Sequence, residues 1–321
     1  MRKLAAILLL LALLLSVAAC AQGETVLVGL CMRGENEGVN ADSADHIKAA
    51  LASAGYRVQL HEAGNDQARQ LRQVEELIGQ GVSLLVVEPV MVAAAQEVVE
   101  LAKNADVPLV FIHHEPGSEV LESWERVCYV GADLSQPGAM QGQLLLQTPD
   151  KGDLNGDGIV SCLLVNGPED HMDTPLRTAD WNRALEAAGL EVNCIKTCHG
   201  DWTRQSGMDC VKQALAEYGK DIEVIFCGND AMAAGALEAI KDGGRTVGEN
   251  VYLTGIDGER HALVLIRSGE MTGTVALDLE LLGQKVAQTA TAFLRKKSVE
   301  KRSYLAYVAV TGENIQEFMG E

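Results

Sequence analysis

The sequence predicts an α/β chain of two doubly wound parallel-sheet lobes. Three observations predict it. Short apolar runs alternate with helical stretches at the spacing of right-handed βαβ units. That rhythm restarts once, at Val160. The length, 321 residues, fits about two domains of ~150 residues each.

The segment 1–19 stands apart from the fold. Arg2 and Lys3 precede the apolar run Leu4 to Leu15, which is too short and wrongly flanked for an ordinary membrane span. The run ends Val17-Ala18-Ala19-Cys20, which resembles a bacterial lipobox. We therefore expect a lipoprotein signal peptide over 1–19, lipidation at Cys20 and a tether over 20–24. A soluble body is then exported and held at a membrane by its lipid.

Thr25 to Cys31 (TVLVGLC) has the composition of a buried strand, and a helix is expected over Asp42 to Ala54. Strand Arg57 to His61 follows, then a helix from Asp66 to Gly79 with apolar Leu71, Val74, Leu77 and Ile78 at helical spacing. Val82 to Val87, Leu109 to His113 and Cys128 to Gly131 are further strands, with a helix over Met91 to Ala102. After the restart, strands are expected at Val160 to Val165, Glu191 to Thr197, Val224 to Cys227, Val251 to Ile256 and Gly273 to Leu277. Helices are expected over Pro175 to Ala188, Thr203 to Tyr218, Ala231 to Lys241, Arg260 to Ser268 and Leu281 to Leu294. In such sheets ligands bind beyond the carboxyl ends of the strands. Glu88, His113, Asn229 and Asp257 stand at those ends.

Charge and composition exclude some classes. The formal charge is −19, and phosphate binding needs clustered Lys and Arg, so no nucleic-acid partner fits. No nucleophile elbow, P-loop or HExxH is present, and nothing identifies a nucleophile, so a binding protein is favoured over an enzyme. Seven cysteines follow Cys20. Cys31, Cys128, Cys162 and Cys227 lie in or beside strand-like runs, where Cys acts as a small hydrophobe. Cys194 and Cys198 are candidates to pair, with Cys210 a third.

Asp153, Asn155, Asp157, the Ile159 carbonyl and Ser161 occupy alternate positions of a calcium loop, with Gly158 at its sharp turn. The acid that closes such a loop is missing, since Leu164 holds that position, so a carboxylate from elsewhere is needed. A solvated Asx/Gly turn uses the same residue types. His171, Asp173 and Arg177 follow at a strand-to-helix junction, with Thr174 the expected N-cap and Pro175 the first helical residue. Asp173 and Arg177 alone match an i,i+4 surface pair. As a site, they offer a fixed fork of donors and acceptors to a hydroxyl-rich ligand. Trp202, after Gly200-Asp201, is either a lid on the core or a stacking platform.

The lipobox-like segment, DLNGDGIVS and NDAMAAGALEAI together resemble the periplasmic sugar-binding proteins of ABC transporters. GNDQARQ, VPLVFIHHEP, YVGAD and GIDGERHALVLIRSGEMTGTV extend the resemblance over most of the mature chain. It implies a periplasmic binding protein type I fold with a three-segment hinge, the lobes comprising 25–132 with 277–304 and 133–276 with 305–321. It implies closure on one monosaccharide, galactose- or glucose-like, and delivery to an ABC permease or presentation to a membrane chemoreceptor. His171, Asp173, Arg177, Trp202, Asn229 and Asp257 match family sugar contacts, and Glu223 matches a remote calcium ligand. The other lobe departs from the pattern. Asn40 and Asp42 stand where the family has an acid and an aromatic, Glu88 and His113 replace Asn residues, and Leu277 replaces a hydrogen-bonding Asn.

Overall fold

The computed structural model describes residues 26–34 and 38–319. The segment 1–19, Cys20 and the tether lie outside these residues, as does the side chain of Asn40. The described chain forms two units, one of residues up to Val130 with Glu280–Arg302, the other of Gly131–Leu279 with Ser303–Glu321. The chain therefore passes between units three times.

Each unit is built on a six-stranded sheet. The first holds β1 (Leu27–Met32), β2 (Arg57–Glu62), β3 (Leu84–Val87), β4 (Leu109–Ile112), β5 (Val127–Ala132) and β11 (Arg302–Leu305), in the order β11-β5-β4-β3-β1-β2. The second holds β6 (Ile159–Asn166), β7 (Glu191–His199), β8 (Val224–Cys227), β9 (Tyr252–Asp257), β10 (Gly273–Leu277) and β12 (Tyr307–Val310), in the order β12-β10-β9-β8-β6-β7. β1 to β5 pair in parallel, as do β6 to β10, whereas β12 runs antiparallel to β10. The fold class is the expected one. Counted from its own first strand, each sheet has the doubly wound order 2-1-3-4-5. The strand order reverses between β1 and β3, and again between β6 and β8. Those two points are where such sheets take ligands.

The central strands are continuous apolar runs because both sheet faces are covered; β3, β4 and β8 are buried throughout. Some helices start where a side chain answers a free N–H. Asp66 accepts from Arg69 N at 2.9 Å, and Thr203 from Ser206 N at 3.2 Å. The helices Arg204–Tyr218 and Asp230–Asp242 cross on glycines. A Cβ on Gly235 would overlap the Arg204 carbonyl oxygen, and one on Gly207 the Met232 backbone. We expect Gly235→Ala to destabilise the protein by about 1–3 kcal/mol through overpacking. Alanine gains up to about 1 kcal/mol of helix propensity, but the overlap is with backbone and no rotamer relieves it. A denaturant midpoint at or above the parent's would contradict this.

Four expectations need correction. The first helix spans Gly38–Ser53, so Asn40 and Asp42 lie within it rather than before or at its start. The helix expected over 175–188 is two, Asp173–Arg177 and Arg183–Ala187, broken at Asp180, whose φ is +56°. Gly138 and Gly142, in the unforeseen helix Gln136–Leu145, lie against the backbone of this broken stretch, so a Cβ on either would overlap it. Thr174 is not the N-cap; it lies inside the helix and its hydroxyl donates to the Pro168 carbonyl at 2.7 Å. Cys194 and Cys198 sit four residues apart along β7, roughly 13 Å at strand rise, beyond the reach of a disulfide.

Candidate functional site

In the second unit the six expected ligand residues converge at the strand-order reversal. β6 ends at Asn166, and the loop after it carries His171 into the short helix Asp173–Arg177. β8 ends at Cys227, so Gly228 and Asn229 sit at the mouth of the neighbouring strand. Arg177 Nη1 lies 2.8 Å from Asp257 Oδ1, at the end of β9, and donates to the Gly228 carbonyl at 2.9 Å. Burial opposes the Arg177 charge, but the Asp257 and Asp173 carboxylates outweigh it and hold the guanidinium above its usual value. Burial pushes Asp257 up to about 6 against the pull of Arg177.

Trp202 is the hub. The Arg177 guanidinium carbon lies 5.4 Å from its ring centroid and the His171 ring meets it edge-on at 5.3 Å. The indole fills the space a Cβ would need on Gly167. Its backbone is at φ +69°, a conformation uncommon for a bulky residue. Asn229 holds it there: the Asn229 amide donates to the Trp202 carbonyl at 3.0 Å, while its oxygen caps the next helix by accepting from Met232 N at 2.9 Å. The Trp202 Nε1–H is buried and has no acceptor among the described residues. A buried donor in that state costs free energy unless a ligand answers it. Asp257 also has a left-handed φ, +118°, and strained backbone of this kind gathers at ligand clamps.

Two further residues join the cluster: Tyr307, which was not foreseen, and Asp230, which sequence places beside Asn229 in the ring of strand-end polar groups. Tyr307, on β12, lies within charge range of Arg177, Asp257 and Asp173, and burial pushes its phenol up to about 12. It is the register partner of Leu277, so it stands beside the place where the resemblance implied a hydrogen-bonding Asn. Asp230 is fully buried; one oxygen accepts from Thr274 Oγ1 at 2.7 Å and the other from Glu259 N at 2.8 Å. Burial, then the neighbouring Asp257 charge, raises its carboxyl well above the usual range.

The first unit gathers a different set. Glu88 follows β3 and is only 2% exposed. One oxygen accepts from Arg33 N at 3.2 Å, and the other lies 3.6 Å from His114 Nδ1. Arg33 Nη1 in turn lies 3.2 Å from His114 Nε2. His113 has φ +58°; its Nε2 lies 2.7 Å from Ser43 Oγ and its carbonyl accepts from the Tyr129 hydroxyl at 2.8 Å. Asp42 is exposed. Arg33 and His114 were not foreseen.

The loop expected to hold calcium is closed by its own backbone. Asp153 accepts from Gly156, Asp157 and Gly158 N–H groups, Asn155 Oδ1 from Asp157 N, and Asp157 Oδ1 from Ile159 N. Glu223, 3% exposed, directly precedes the neighbouring strand β8 and clasps both ends of the loop. Its Oε1 accepts from Asn155 N and its Oε2 from Ser161 N, both at 2.9 Å. Each ionised oxygen has a further lone pair for a cation. Burial raises the Glu223 carboxyl, and the Asp153 and Asp157 charges add to that rise, so a cation would relieve the site. The donor set is oxygen only and fits a hard ion. Among the described residues no three His, Cys, Asp or Glu side chains cluster by themselves as a metal site; this loop intersperses amide and main-chain oxygens. A cavity of ≈ 640 Å³ opens beside it, lined by Asn155, Glu223, Lys212, Lys220 and Arg245 among others, and it does not include Trp202 or Arg177.

Comparison with known proteins gives concordant results. The family model described as "Periplasmic binding protein domain" matches residues 28–298. The D-galactose/methyl-galactoside binding periplasmic protein MglB of Haemophilus influenzae is 32% identical over 285 residues, covering 85% of this chain and 85% of that protein. The ribose import binding protein RbsB of Bacillus subtilis is 28% identical and covers 79% and 77% respectively. Among solved structures, a solute binding protein from Bacillus halodurans with bound myo-inositol superposes with a TM-score of 0.77 at 21% identity, covering 93% of this chain and 99% of that one.

Proposed function

Because the chain belongs to the periplasmic binding protein family, we propose that it captures a monosaccharide, galactose- or glucose-like, and delivers it to an ABC importer. The coarser reading follows from the relatives: an exported sugar-binding component of ABC import, and not an enzyme. The observation that carries the finer reading is the Arg177–Asp257 pair packed on Trp202, whose buried Nε1–H lacks an acceptor among the described residues. A planar donor fork, carboxylate acceptors and an indole suit the mixed polar and C–H surface of a sugar ring. His171 and Asp173 extend the acceptor set, and Asn229 fixes the indole. Glu88 and His113, with Asn40 and Asp42, are the proposed contributors from the first unit. Calcium held by Asp153, Asn155, Asp157, the Ile159 carbonyl, Ser161 and Glu223 stiffens the second unit, and lipid at Cys20 anchors the protein to the membrane.

A thermal-shift screen over hexoses, pentoses, inositols and amino sugars tests the function, with Trp fluorescence as a second readout. A neutral hexose should raise Tm most and move the Trp signal; no response to any sugar would overturn the proposal. The pH dependence has two opposite parts. Asp257 has a folded pKa of about 6, above the unfolded carboxylate value. Its contribution to stability is therefore full below about pH 4 and is lost as pH rises through about 6. Sugar binding runs the other way, because the clamp needs the charged carboxylate. We expect affinity to fall as pH drops below about 6, and Asp257→Asn to flatten that limb of the titration.

A further inference from the structure

The seven described cysteines are free thiols of two kinds. Cys31, Cys128 and Cys227 are at most 1% exposed in the sheet cores. Burial pushes the Cys31 and Cys128 thiols up to about 12, so they behave as inert small hydrophobes. The other four form two couples along β7, the edge strand of the second sheet. Cys162 on β6 and Cys194 on β7 are direct register partners. Strand spacing then sets their Cα atoms about 4.8 Å apart, inside the span of a disulfide. At the other end of β7, Cys198 Sγ lies 3.9 Å from the carbonyl oxygen of Cys210, on the helix Arg204–Tyr218.

We infer that the exported protein carries two disulfides, Cys162–Cys194 and Cys198–Cys210, which staple β7 to its sheet at one end and to the following helix at the other. Disulfides persist in exported proteins, and the chain belongs to an exported family. An edge strand presents unpaired backbone groups and benefits from being pinned. The second bond also closes the loop between Cys198 and Cys210, which contains Trp202 at its left-handed φ. Restricting that loop removes freedom from the unfolded chain and holds the indole where the ligand clamp needs it.

The oxidant is a disulfide, such as that of a dithiol oxidoreductase or oxidised glutathione. The hydrogen bond from Cys210 pulls the Cys198 thiol down to about 7. Once deprotonated, Cys198 attacks one oxidant sulfur; the oxidant S–S bond breaks, a mixed disulfide forms and one thiolate leaves. Cys210 then loses its proton and attacks Cys198 Sγ, breaking the mixed bond and releasing the second thiolate. The chain gives up two electrons and two protons, and both oxidant sulfurs end as thiols. Cys162 and Cys194 couple by the same exchange.

Trypsin separates all four residues, because Arg177, Arg183, Lys196 and Arg204 lie between them. The native protein is treated with oxidised glutathione, alkylated in denaturant and digested. Two linked peptide pairs are expected: 152–177 with 184–196, and 197–204 with 205–212. Both separate on reduction. Alkylation of all four thiols, or a link between Cys194 and Cys198, overturns the assignment. If one couple links and the other is alkylated, the claim fails for the alkylated couple.

Discussion

Arg177→Ala is expected to weaken monosaccharide binding at least about 100-fold, a loss in the range of about 2–5 kcal/mol for truncating one partner of a buried hydrogen-bonded charge pair. Two effects act together. The guanidinium fork that would meet ligand hydroxyls is lost, and so is the counter-charge for Asp257, whose side chain is 8% exposed. Asp257 cannot remain comfortably ionised without it, because its carboxyl already stands at about 6 with Arg177 in place and Asp230 lies close by. The variant's Asp257 therefore takes up a proton near neutral pH and turns from acceptor to donor. The bond to the Gly228 carbonyl disappears as well, loosening the backbone that flanks Trp202. Arg177→Lys keeps the charge but not the planar fork, so an intermediate loss is expected. Pairing Arg177→Met with Asp257→Asn removes the uncompensated charge; it should fold nearly as well as the parent yet still not bind. Calorimetry with the sugar selected by the thermal screen, alongside circular dichroism, separates folding from binding. An Arg177→Ala protein within about threefold of the parent affinity, under about 1 kcal/mol, would falsify the clamp.

The second-unit cluster was legible because its residues lie next to strand ends that sequence pattern marks well. His171, Asp173 and Arg177 follow the apolar run of β6, and Asn229 and Asp257 directly end or follow β8 and β9. Tyr307 was not legible. It reaches the cluster on an antiparallel strand that follows a long helix and a unit crossing, and Tyr-Val-Ala-Val has no chemical signature of its own. The first unit shows a subtler limit. His113 and His114 are adjacent, and sequence favours the one that ends the apolar run. The left-handed φ at His113 turns the backbone at that residue, so the buried imidazole beside Glu88 belongs to His114. Cys194 and Cys198 mislead in the same way: their spacing resembles a pairing motif, but extended backbone carries them apart. Position along a strand is readable from periodicity, whereas backbone turns of this kind depend on tertiary packing that local pattern does not encode.

Removing calcium is expected to lower Tm by roughly 5–10 °C. A ligand at about a hundred times its Kd stabilises by about 2.7 kcal/mol, and each kcal/mol moves Tm by about 2–4 °C in a domain of 150–250 residues. The structural reason is the position of Glu223. Its two oxygens tie the Asn155 end of the loop to Ser161 at the start of β6, and its own backbone is tied to both neighbouring strands, through Ser161 O and Tyr252 N at 2.8 Å. A cation on the loop therefore bridges residues that lie far apart in sequence, and unfolding must release it. The same strand β6 ends at the loop that carries His171, so a bound cation would steady the base of the proposed ligand clamp without touching it. Chelator should consequently lower Tm more than it lowers sugar affinity. Glu223→Ala and Asp153→Ala should each abolish the calcium-dependent part of Tm, whatever their effect on the metal-free protein, because the comparison is made within each variant. If chelator leaves the parent's Tm unchanged, or if Glu223→Ala keeps the parent's calcium shift, then the hydrogen-bonded loop is a turn closed by its own backbone and Glu223 is a strap across it rather than a ligand.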